Sequence, residues 1–91
     1  MSRTVWKYPL AIADSQEVEV GGSPRFLHAA MQDGHPTLWV ECATTFKEPK
    51  PWFVSVVPTG GIVGTDSEYL GTCVGQQFVW HIYRTSRRPR D

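Results

Sequence analysis

The chain is poor in the features that usually announce a chemistry. It has only two cysteines, Cys42 and Cys73, and they form no CxxC pair, so a zinc site built on paired thiols is excluded. Both fall in expected strands and read as buried or half-buried thiols, with a disulfide between neighbouring strands left open. No apolar run approaches the roughly 20 residues that span a bilayer. The opening MSRTVWKYPL lacks the apolar stretch of a signal peptide, so a cytoplasmic, reducing setting with no membrane partner is expected. No segment holds a 3.6-residue period for the length of a helix, so little or no helix is expected.

Catalytic and metal-binding patterns are equally scarce. The three histidines, His28, His35 and His81, show neither HxxH nor HExxH spacing. His28 and His81 could meet across a sheet, but a third ligand would have to come from Glu19, Glu41 or Asp33 by accident of fold. There is no GxSxG, and neither cysteine has a histidine near it in sequence. Glu17 and Glu19 point to one face of a strand, as solvated carboxylates do. These absences give the expectation of a non-enzyme with no catalytic residues, no metal and no cofactor.

Charge of one sign is also lacking, since nine Lys and Arg balance nine Asp and Glu. The balance is uneven along the chain. Residues 84–91 (RTSRRPRD) hold four Arg and one Asp, +3, which leaves five basic and eight acidic residues in 1–83, −3. An acidic body disfavours long nucleic acid as a partner. The length suits one domain. The expected division is a β-rich domain over residues 1–85 and a disordered basic tail over 86–91.

What the chain does have is β signal and aromatic rings. Asp33-Gly34 stands between two apolar runs, 25–32 (RFLHAAMQ) and 36–42 (PTLWVEC). This is the pattern of a hairpin closed by a type I′ turn. Further strands are expected at residues 5–12, 16–20, 52–57, 69–74 and 77–85. Pro9 belongs at an edge or a strand end, and Gly75-Gln76 suggests a type II′ turn. Residues 14–17 could open one helical turn. In the last strand Phe78, Trp80 and Ile82 share one face and Val79, His81 and Tyr83 the other, so this strand should be central or lie at an interface. The expected fold is mainly β: about seven short antiparallel strands in a small sandwich or a partly open barrel. Four Trp, three Tyr and four Phe are many rings for so small a core, and self-association would relieve the shortage, so a homo-oligomer is expected.

Those rings and the loop Thr59-Gly60-Gly61-Ile62-Val63-Gly64-Thr65 are the candidate binding elements. Glycine backbones can turn N–H groups toward an anion, although no helix or lysine follows as in a nucleotide-binding fingerprint. If a nucleotide is held, Trp39, Trp52 or Trp80 would stack on it. Thr59, Gly60 and Gly61 would donate from the backbone, and Arg25 or Arg84 would meet phosphate.

The segments WKYPL, IADSQEVEV, FLHAAMQDGHPTLWV, TGG and YLGT…FVWHIY follow one another in an order that resembles a family of small, uncharacterised bacteriophage and prophage proteins. The resemblance spans about residues 5–83. It is carried by Trp6, Lys7, Tyr8, Gln16, Val18, Gln32, Gly34, Pro36, Leu38, Trp39, Tyr69, Gly71, Thr72, Val79, Trp80 and His81. The family's MPxGA is replaced here by Val20-Gly21-Gly22-Ser23-Pro24, and its acidic ending by Arg84 and the arginine-rich tail. The resemblance brings no catalytic residues. It implies an origin, a phage-type accessory protein. Taken with the lack of a catalytic constellation, the many rings, the glycine loop and the scattered arginines, it gives the expectation of a protein that acts by binding, countering host defence by sequestering a small (cyclic) nucleotide signal or by blocking a defence protein. The alternative is a structural or assembly protein with an aromatic contact face.

Overall fold

The computed structural model describes residues 2–45 and 48–85, so the expected basic tail, 86–91, lies outside the described residues. Seven strands run in chain order: β1 (Arg3–Pro9), β2 (Gln16–Val20), β3 (Arg25–Gln32), β4 (His35–Ala43), β5 (Lys50–Pro58), β6 (Ser67–Val74) and β7 (Val79–Thr85). They form two antiparallel sheets, β1-β4-β3 and β2-β5-β7-β6. The two sheets face each other across one core and do not close into a barrel, which leaves the sandwich as the correct alternative. No helix among the described residues is long and apolar enough to cross a membrane.

Period-two alternation explains the layering. On β4 the residues Pro36, Leu38, Val40 and Cys42 point inward and are buried. On β5 the inward set begins with Trp52, Val54 and Val56, and on β7 it includes Ile82. Leu10, Val20, Ala29, Leu70 and Cys73 complete the core. The Asp33-Gly34 turn is as expected: both residues have positive φ, 50° and 81°, which a type I′ turn requires.

Several expectations are corrected. The first strand covers Arg3–Pro9 rather than 5–12. The chain leaves the sheet after Pro9, so that Leu10 can enter the core while its N–H donates to Pro36 O at 2.8 Å. Residues 14–17 form no helical turn, because Gln16 opens β2 and its side-chain amide clamps Ala11 N and O. Gly75-Gln76 is not a II′ turn: Gly75 lacks the positive φ that turn requires, and the four residues 75–78 connect the strands, with Gly75 N–H donating to Phe78 O. Phe78 therefore lies outside β7, exposed, with its ring 5.7 Å from that of Trp80. β7 is central, between β5 and β6, but its outward residues are half-buried rather than covered. Cys42 and Cys73 are buried free thiols on strands of different sheets, so the bond between neighbouring strands that the sequence left open is not formed.

Candidate functional site

Three surface regions gather chemistry. The first is an open cleft of about 660 Å³, lined by Gly22, Ser23, Pro24, Glu48, Lys50, Pro51, Trp52 and Arg84. Arg84 pairs with Val54 in register and so leans to the inner side of its sheet, beside Trp52. Its guanidinium carbon sits 4.2 Å from the Trp52 ring centroid. Trp52 is only 3% exposed, so the indole acts as a floor for the guanidinium rather than as a free stacking surface. Among the described residues, no carboxylate lies within ion-pair distance of Arg84 or Lys50, whereas Arg3 is held by Glu41 at 2.8 Å.

The second region is the outward face of the four-stranded sheet. His81 is the centre of a hydrogen-bonded chain there. Its Nε2 lies 2.9 Å from Thr59 Oγ1 and its Nδ1 3.1 Å from Thr72 Oγ1, which in turn bonds the Tyr69 hydroxyl. Tyr69 and Tyr83 meet edge to face at 5.5 Å. The glycine loop folds back over this face. Gly61 rests on Val57, which is outward on β5 and yet 8% exposed. Between the loop and the sheet is a cleft of about 590 Å³ whose polar lining includes Asp14, Ser55, Ser67 and Tyr83.

The third region is the outward face of the three-stranded sheet. Register places Arg3, Lys7, Arg25, His28, Trp39 and Glu41 on it. Trp39 is half-buried, with its ring 5.8 Å from that of His28. Lys7 Nζ donates to Gln32 Oε1 at 2.7 Å, bridging β1 and β3 across β4.

The eight residues selected from the sequence are thus not one site. Trp52 and Arg84 meet in the first cleft. Thr59, Gly60 and Gly61 belong to the loop on the opposite, outward face of the same four-stranded sheet. Trp39 and Arg25 share the basic face, and Trp80 lines a separate hollow of about 330 Å³ with Phe78 and Met31. His28 and His81 lie on outward faces of different sheets and do not meet. Lys50 of the first cleft, and the outward-face cluster of Tyr69, Thr72, His81 and Tyr83, are not among those eight residues. Strict alternation would put Tyr69 and Thr72 on opposite faces, but the bulge between Tyr69 and Gly71 turns both outward. The surviving signal was the run of YLGT followed by WHIY.

Fold and surface together define an all-β, two-sheet sandwich with open clefts. The whole chain, residues 1–91, matches the family described as "Domain of unknown function (DUF7352)", and the protein belongs to that family. Searches of curated proteins and of solved structures give no match.

Proposed function

We propose that the protein is a phage-type accessory protein that works by binding, not by catalysis. In this reading it sequesters a small phosphate-bearing ligand of the nucleotide class in the Arg84 cleft and so blunts a host defence signal. The phage assignment rests on the sequence motifs. The ligand class rests on one observation: Arg84, over the Trp52 ring, shares the cleft with Lys50, two cations against the single carboxylate of Glu48 among the described lining residues.

A stacked guanidinium keeps its N–H edge free to fork onto phosphate oxygens. Its outer plane can also take a base. Charge-assisted bonds contribute about 1.5–3 kcal/mol each. Two of them supply part of the roughly 8 kcal/mol that micromolar binding needs, and stacking supplies more. The cleft volume falls in the usual range for small-ligand sites, about 300–1,000 Å³.

Isothermal titration with cyclic dinucleotides, cyclic trinucleotides and ADP-ribose tests this reading. Saturable heat that Arg84→Ala removes from a folded protein supports it. No heat across the panel with folded wild-type protein rejects it.

A second reading, a contact protein of the particle or of its assembly, is favoured by apolar side chains left in water. Ile62 is 95% exposed and Val74 71%. Purified particles carrying the chain at fixed stoichiometry would favour this reading over sequestration.

A further inference from the structure

The formal charge is zero, but the sandwich divides it by face. The outward face of the three-stranded sheet carries Arg3, Lys7 and Arg25 against Glu41. The outward face of the four-stranded sheet presents Glu17 and Glu19 on β2, and no described strand residue pointing from it is Lys or Arg. The cleft under the glycine loop opens on that second face. Among the described residues its only charged lining residue is Asp14, and Tyr83, Ser55 and Ser67 supply a ring and hydroxyl oxygens.

We propose that this cleft is a binding site for a small organic cation, an alkylammonium. Asp14 would supply the opposite charge. The Tyr83 ring, whose centroid lies 5.5 Å from that of Tyr69, would offer a π face. The serine oxygens would accept from the N–H groups. The apolar lining of Val57 and Val63 suits the alkyl part of such a ligand. Among the described residues phosphate finds no cation in this lining, so the site prefers a cation where the Arg84 cleft prefers an anion, and it does not depend on that cleft. The loop makes the hollow possible, because Gly61 lies against Val57 where a Cβ would come within 2.6 Å of Val57 Cγ1. The loop can therefore close down on the sheet and leave its space beside Tyr83.

Spermidine titrated into labelled protein at low salt, followed by amide shifts, tests the site. Saturable shifts at Asp14, Ser55, residues 60–64 and Tyr83 are expected, with none there from inorganic phosphate. Asp14→Asn should weaken binding about fivefold, and Tyr83→Leu should weaken it by a similar factor. Thermal melts of both variants show whether each is folded. Because Asp14 is an exposed loop residue, Asp14→Asn alone keeps the proposal falsifiable if Tyr83→Leu unfolds.

A lysine-rich peptide serves as the second arm. Tighter saturation at the same residues by the peptide identifies a protein segment as the source of the ammonium, and tighter saturation by spermidine identifies a free amine. Absence of saturation, shifts confined to Glu17 and Glu19, or equal affinity in folded Asp14→Asn would overturn the assignment.

Discussion

Arg84 lies over Trp52, guanidinium carbon to ring centroid 4.2 Å, at the margin of the core. The contact joins β7 to β5 and also sets Arg84 in the lining of the cleft. A cation over an indole is worth about 0.5–2 kcal/mol, depending on how far it is desolvated. Arg84→Ala should therefore lower stability by about 1 kcal/mol. Arg84→Lys, which keeps the charge but not the flat contact, should recover less than half of that loss. Urea unfolding followed by tryptophan emission measures both, and equal stability of Arg84→Lys and wild type would show that only charge matters.

The chain through His81 makes a different prediction. Thr72 Oγ1 bonds both Tyr69 and His81, so it is the shared member of the chain. Thr72→Val should cost about 1 kcal/mol, because a half-buried imidazole nitrogen loses its partner. Tyr69→Phe should then cost little in the Thr72→Val background, although it costs more on its own. A double-mutant cycle in urea reads the coupling, expected at roughly 0.5 kcal/mol or more. Strict additivity would mean that the hydroxyls act independently.

The glycine loop can be tested by the space around two of its residues. At Gly61 a Cβ would lie 2.6 Å from Val57 Cγ1 and 3.0 Å from Pro58 O, and neither backbone nor β-branched side chain can yield easily. At Gly64 the nearest atom is Ser67 Oγ at 3.4 Å. Gly61→Ala should thus lift the loop off the sheet and cost about 1–3 kcal/mol, while Gly64→Ala should be close to neutral. Hydrogen exchange at Val57 separates the two, with faster exchange in Gly61→Ala alone.

Much of the scaffold could be read from local pattern. Asp33-Gly34 demanded a tight hairpin, alternation in PTLWVEC marked a half-buried strand, and Pro9 marked a strand end. These signals are short-range, and the seven strands follow from them. The sites were less legible because they depend on long-range register. Nothing near Trp52 in sequence shows that Arg84 will cover it, since the two residues belong to different strands and meet only through the β5–β7 pairing. The bulges after Phe26 and Tyr69 also break the period of two, so face assignments made by counting fail beyond them. The separation of basic and acidic faces was invisible for the same reason: Lys7 and Glu17 are near in sequence but point out from opposite sheets.

Burial at two ionisable groups gives a pH dependence with a definite sign. Burial pushes the Cys73 thiol up, and a backbone hydrogen bond involving Thr37 opposes this in part. Tyr8 is also raised, mainly by burial and further by Cys42, against a lowering bond from the Gly21 N–H. In the unfolded chain a thiol releases its proton near pH 8.5 and a phenol near pH 10, roughly. The native state holds both protons longer, so between the unfolded and folded values it binds more protons than the unfolded state. Stability is then complete below about pH 8 and falls as pH rises, by at most about 1.4 kcal/mol per pH unit for each group. The Cys73 contribution is lost first and that of Tyr8 only in stronger alkali. Urea midpoints measured in reductant from neutral to alkaline pH should decline in two stages. Cys73→Ala should flatten the first stage and Tyr8→Phe the second, whatever each substitution costs at neutral pH. Parallel decline of wild type and Cys73→Ala through the first stage would show that the thiol's burial does not control it.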